Sequence, residues 1–266
     1  TIKLDFTSTR EKSNRKFIQA SDYLQEVDLN CNGTHLCLTT RGKLFSFANW
    51  SGAVIQHGKT DGVRYRLPIW LKDGKTIVAI SDEKNGEDRP VLFNQGKNIG
   101  KLFPNCEMGR VHQTSASPKQ MKVAITNHRN ELLLLDTAKQ KIKVLDKSPF
   151  ERIGRPAWSP DRNWISYSYK DSKTTQIIRV VNIQSGKIED ITKAVLSDDE
   201  PVFDPEGKFI YFISNREFNP TYDSVLFDLS FHDSRKIYAV VLQKNGKSPF
   251  ELPPQAPSGD KDDDKK

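Results

Sequence analysis

A chain of 266 residues with 36% hydrophobic and 28% charged side chains can bury a sizeable core without disulfide or metal staples, and its balance excludes both a membrane-threaded and a wholly unfolded polypeptide. The longest uninterrupted apolar run, Ile237 to Leu242, falls far short of the roughly 20 residues of a bilayer-spanning helix, so no membrane partner is expected. Lys and Arg number 41 against 34 Asp and Glu, a net charge of +7, but basic and acidic residues alternate in every segment, which reads as a solvated mixed surface and gives no nucleic-acid face.

Taken in chain order, residues 1–20 hold two short alternating stretches, TIKLDF and RKFIQA. They fit the third and fourth strands of a unit whose first two are missing. An opening Thr1 in place of Met fits a polypeptide cut from something longer. From residue 21 a pattern recurs: an apolar anchor, a turn rich in Asp, Asn, Pro and Gly, then an alternating strand. The copies are LNCNGTHLCL from Leu29, WLKDGKTIVA from Trp70, ASPKQMKVAI from Ala116, WSPDRNWISY from Trp158 and FDPEGKFIYF from Phe203, at spacings of 41, 46, 42 and 45 residues. Pro-Asp and Asp-Gly supply the turn dihedrals of a hairpin. A third strand follows each copy, as GKLFSFA, RPVLFN, NELLLLD, TQIIRVVNI and RKIYAVVL. A shorter fourth follows that, as AVIQHG, NIGKLF, KIKVLD, KIEDIT and SPFEL. Four strands at a period of 40 to 50 residues predict an all-β chain of β-propeller blades, each burying its faces against its neighbours. Five full blades fill 21–253 and a partial one fills 1–20. Residues 254–266, rich in Pro, Gly and alternating charge, read as a disordered linker.

Beyond the general pattern, DGVRYRLPIWLKDGKTIVAISDEKNGE at 61–87, RGKLFSF at 41–47 and above all EPVFDPEGKFIYFISNREFNPTYDSVLFDLSF at 200–231 resemble the later blades of the second, seven-bladed propeller of tricorn-type proteases. The resemblance implies that these blades are a fragment of a seven-bladed ring. It also implies a parent that is a cytoplasmic, hexameric serine peptidase degrading oligopeptides. In such an enzyme the propellers are channels and scaffolds for peptides, and the nucleophile and its base lie in later domains. The expected partners are therefore peptide substrates, the remaining domains of the parent and further copies in a homo-oligomer. A self-contained TolB-like propeller that docks a protein partner is the alternative.

Chemistry within the chain itself is sparse. No G-x-S-x-G elbow occurs, and Ser230, His232, Asp228 and Asp233 are neighbours in sequence, which is poor evidence for a triad assembled in space. No catalytic residue is assigned. Without a Gly-rich loop before a helix there is no nucleotide site, and no cofactor is expected. Cys31, His35 and Cys37 fall one ligand short of a zinc site, and Cys106 lies far away in sequence. No metal is assigned, and three cysteines do not make a disulfide framework. Few cysteines and no leader-like start fit a reducing compartment.

One recurrence is better placed for function. Six residues before the anchors Trp70, Ala116 and Trp158 stand Arg64, Arg110 and Arg152; the outer copies have Tyr23 and Ser197 there. Such positions open the innermost strand, which in a propeller lines the central tunnel. Three guanidinium groups at one mouth would favour peptides carrying acidic side chains or a free carboxylate. His112, four residues before Ala116, could face the same channel. Trp70, Trp158 and Phe203 read as packing between blades.

Overall fold

The computed structural model describes residues 19–225, 227–232 and 234–251. The strands read in 1–20 fall outside these but for Gln19 and Ala20, and the linker read at 254–266 falls outside them altogether. After a single 3-10 turn, Ala20–Tyr23, the described chain is strand and turn. The first sheet is β1 (Leu24–Leu29), β2 (His35–Thr40), β3 (Lys43–Ala48) and β4 (Ile55–His57). The second is β5 (Tyr65–Trp70), β6 (Thr76–Lys84), β7 (Glu87–Asn94) and β8 (Lys101–Leu102). In the third stand β9 (Val111–Ala116), β10 (Lys122–Asn127), β11 (Glu131–Asp136) and β12 (Lys141–Lys147). The fourth holds β13 (Ala157–Trp158), β14 (Trp164–Lys170), β15 (Gln176–Asn182) and β16 (Ile188–Asp190). All four are antiparallel meanders in chain order. A fifth sheet joins β17 (Asp198–Phe203), β18 (Phe209–Ser214) and β21 (Lys236–Val241), with a separate hairpin, β19 (Thr221–Asp223) and β20 (Asp228–Ser230), inserted between its second and third strands.

Each anchor read from the repeat ends the first strand of its sheet, because the turn that follows is held by its own side chains. Asp73 Oδ1 accepts the N–H groups of Lys75 and Thr76 (3.0 and 2.9 Å). Asp161 and Asp204 do the same for Asn163 and Lys208, and Asn30 Oδ1 does so for Thr34 and His35. These are Asx turns, in which the side chain mimics a backbone carbonyl and fixes the hairpin. The fourth strand read at SPFEL is not formed over 248–251, where the chain turns and Glu251 N–H bonds Ser248 O.

The core is partitioned between successive sheets. Cys37 and Leu44 of the first sheet pack on Trp70, Ile77 and Phe93 of the second. Val78 and Ile80 then meet Val123 and Leu133 of the third, Leu132 and Leu134 meet Trp158 and Tyr167 of the fourth, and Ile178 and Val180 meet Ile210 and Phe212 of the fifth. The first strands lie side by side in order, β1 against β5, β5 against β9, β9 against β13 and β13 against β17. Sheets that pack face to face with their first strands in a row make an open β-propeller.

The row is reinforced by polar links between neighbours. Trp70 N–H donates to Asp28 Oδ2 (2.7 Å), Val111 N–H to Asp88 Oδ2 (2.8 Å) and Trp158 Nε1–H to the Ser115 carbonyl (3.0 Å). Two first strands carry bulges at a left-handed residue before proline: Leu67 (φ 50) ahead of Pro68 and Glu200 (φ 51) ahead of Pro201. The first strand of the fourth sheet is cut to two residues. Pro156 brings no donor, and Gly154 presses its backbone on Ser168 so closely that a Cβ would collide with the hydroxyl.

Candidate functional site

Where β13 falls short, the row of first strands opens into a cavity of about 860 Å³. Its walls are the ends of β9, the segment 151–158 and the bulge of β17, with Trp158 and Pro156 as an apolar floor. Among its charged groups, Glu151 pairs with Lys170 (3.4 Å), and Asp199 Oδ1 accepts the Ser168 hydroxyl and the Glu200 N–H (2.7 and 2.8 Å). The side chains of Arg152, Arg155 and Glu200, by contrast, have no hydrogen-bond or ion-pair partner among the described residues.

A second cavity of about 380 Å³ lies at the openings of β5 and β9. Arg64, Arg66, Arg110 and His128 line it together with Asp82, Glu87 and Asp88. Arg66 is committed to Asp88 (2.5 Å) and is largely buried there. The Arg64 side chain packs on Gly42 (φ +74), where an added Cβ would come within 2.9 Å of Arg64 Cγ. Arg110 N–H donates to His128 Nδ1 (2.9 Å), so that ring carries its hydrogen on Nε2 when neutral. The guanidinium groups of Arg64 and Arg110 have no partner among the described residues.

The four residues singled out from the sequence are thus brought partly together. Arg64 and Arg110 share one cavity, and Arg152 lines the other. His112 sits half-buried on β9 between them. Burial first, and then the positive fields of Arg152, His128, Arg110 and Arg66, hold its pKa below the ordinary imidazole value. Arg66, His128, Arg155 and Glu200 were not legible in the sequence. Arg66 occupies the same place relative to Trp70 as His112 does to Ala116, a spacing that could have flagged it.

Elsewhere the suspected clusters separate. Cys31 is exposed with its thiol toward the Lys72 carbonyl (3.5 Å). His35 bonds Thr34 and Gln95. The Cys37 thiol is buried, and burial, then the charge of Asp28, pushes its pKa well up. No group of three or more His, Cys, Asp or Glu among the described residues is arranged to hold a metal. Ser230 Oγ and His232 Nε2 do meet, at 3.0 Å, but both are at the surface of the inserted hairpin and Asp228 turns its carboxylate to the Leu229 N–H. No described helix is long and apolar enough to cross a membrane.

Comparison with known proteins gives a consistent outcome. The family described as the tricorn protease second beta propeller domain matches residues 24–266. A tricorn-like protease C-terminal subunit of Sulfurisphaera tokodaii is 35% identical over 98% of this chain and 29% of its own length. A tricorn protease homolog of Saccharolobus solfataricus is 33% identical over 98% of this chain and 23% of its own. The present chain therefore spans under a third of these relatives. Among solved structures, the crystal structure of the tricorn protease superposes with a TM-score of 0.76 at 20% identity, covering 86% of this chain and 22% of that one. TolB from Acinetobacter baumannii gives 0.52 at 13%, covering 75% and 52%. At such identities the superpositions speak for the fold.

Proposed function

The chain belongs to the family of the second β-propeller domain of tricorn protease, and from that premise we propose that it serves as a non-catalytic peptide channel and scaffold within an oligopeptide-degrading serine protease. The reading carries with it a cytoplasmic, homo-oligomeric parent whose remaining domains hold the nucleophile. The observation that carries it is a set of guanidinium groups lacking hydrogen-bond or ion-pair partners among the described residues: Arg64 and Arg110 line one cavity and Arg152 another, and the charges of Arg110 and Arg152 act on His112. An arginine whose guanidinium is unpaired keeps its donors for a ligand, and in a cleft its field is focused rather than screened. A wall of this kind favours passage of peptides bearing carboxylates.

A decapeptide carrying a photo-reactive side chain tests the reading. Irradiated with the purified chain, it should label residues of the first strands such as Gln113 and Trp158. The triple change Arg64→Gln, Arg110→Gln, Arg152→Gln should reduce labelling by an acidic peptide several-fold while sparing a neutral one. Labelling confined to the outer strands would overturn the channel. Capture of a folded protein in its place would favour a TolB-like docking propeller.

A further inference from the structure

The cavity opened by the short β13 is a dipolar site, and its two poles are built differently. On one wall Arg152 and Arg155 stand either side of Ile153 and Gly154, both exposed and neither in a hydrogen bond or ion pair with a described residue, although the charge of Arg155 acts on Asp28 of β1. On the other stands Glu200, whose carboxylate is likewise without a partner there. Glu200 is held by its backbone: φ is +51, Pro201 follows, and its N–H is fixed on Asp199 Oδ1 (2.8 Å). Asp199 is in turn held by the Ser168 hydroxyl (2.7 Å), and Ser168 can stand there only because residue 154 has no Cβ. A left-handed, non-glycine residue before proline is costly and persists only where its surroundings impose it. The nearby acids Glu151 and Asp199 are committed to Lys170 and Ser168. Asp199 nevertheless keeps its charge, because a hydroxyl and a backbone N–H do not neutralise a carboxylate, so the cavity offers Glu200 and Asp199 from the bulge of β17 and Arg152 and Arg155 from the segment before β13, with Pro156 and Trp158 also in its lining.

A ligand matching this distribution has a carboxylate at one end and an ammonium at the other. We propose that the cavity binds short peptides by their free ends, the α-carboxylate on Arg152 and Arg155 and the α-ammonium on Glu200, with the intervening backbone over Pro156 and Trp158. This deepens the channel reading and rests on it. Charge-assisted bonds to guanidinium and carboxylate are the strong ones, and their geometry selects termini over blocked ends.

The test is a titration of the purified chain with tetraalanine in three forms: both ends free, N-acetylated, and C-amidated. Binding is followed by calorimetry and by the Trp158 indole signal in NMR. The free-ended form should bind about tenfold more tightly than either blocked form, as the loss of one charge-assisted contact implies. The double change Arg152→Gln, Arg155→Gln should abolish the advantage of a free carboxylate and keep that of a free amine; Glu200→Gln should reduce the advantage of a free amine and keep that of a free carboxylate. All three side chains are exposed, so these variants keep the fold, which the unliganded Trp158 signal verifies. Equal binding of all three forms, absence of binding by any, or variants that weaken all forms alike would overturn the proposal. Photo-labelling of the first strands by the longer peptide does not depend on its termini. Labelling retained without terminus dependence would sink the end-binding proposal alone, and loss of both would sink the channel as well.

Discussion

His57 and Gly58, at the end of β4, show how much of this fold is decided by single side chains. The Lys97 carbonyl can only accept, so His57 Nδ1 donates to it (2.8 Å) and Nε2 accepts from the Ser46 hydroxyl (2.7 Å). The ring is buried and neutral, and burial holds its pKa below 6.5. Below that value the unfolded chain takes up a proton that the folded chain refuses, so this contribution is complete above about pH 6.5 and lost as the pH falls. Urea midpoints should therefore be lower at pH 5 than at pH 7.5, and His57→Gln should flatten the difference. Gly58 has φ +77, and a Cβ there would collide with the ring of the fully buried Tyr65. Gly58→Ala should cost about 2–4 kcal/mol in denaturant unfolding, from overpacking and a left-handed backbone together. In the sequence both residues pass for parts of an outer strand, since nothing local marks a contact made with the next sheet.

At the scale of the element, the anchors occupy equivalent places but unequal surroundings. Trp158 is 9% exposed and its indole N–H bridges to the third sheet, whereas Leu29 is 50% exposed on β1. Trp158→Ala should cost about 3–5 kcal/mol, and Leu29→Ala about 1 kcal/mol or less; equilibrium unfolding of the two variants reads the contrast directly. The reason is that a blade is covered only when sheets flank both its faces, and the first sheet has a described neighbour on one. The third and fourth sheets are also joined by Asp146, which accepts the Tyr167 hydroxyl (2.7 Å) and pairs with Arg179 (3.3 Å). Removing that carboxylate in Asp146→Ala leaves the buried Tyr167 phenol without its acceptor, while Arg179 keeps Asp190 (2.6 Å), a loss of about 1–3 kcal/mol. Periodicity located the strands, but it could not say which of them would be short. The two-residue β13 follows from the contact between Gly154 and Ser168, fourteen positions apart in sequence.

For the whole molecule, the first-strand row opens into cavities lined by charged groups, while the Ser230–His232 pair lies apart on an inserted hairpin, where the Asp228 carboxylate turns to the Leu229 N–H and Asp233 lies outside the described residues. The purified chain is accordingly expected to hydrolyse no peptide substrate. Turnover that is abolished by a serine-directed inhibitor, and lost in Ser230→Ala, would refute this. The repeat spacing made the propeller legible, because every copy carries its own turn chemistry and its own apolar anchor. Of the candidate positions, Arg64, Arg110 and Arg152 share a register with respect to the anchors, but only Arg64 and Arg110 stand directly before a first strand, β5 and β9, and share a cavity; the short β13 leaves Arg152 five residues ahead of its strand in another.

The amino-acid order alone determined the strand-and-turn alphabet, the blade period and the family, since each depends on local dihedral preference and short-range alternation. Which charges find partners was decided by the tertiary structure. Glu151, Asp199, Arg152, Arg155 and Glu200 look alike in sequence, yet Lys170 and Ser168 engage the first two and leave the last three facing one cavity. Pairing of that kind depends on how adjacent sheets dock, and no periodicity within one sheet encodes the side chains of the next.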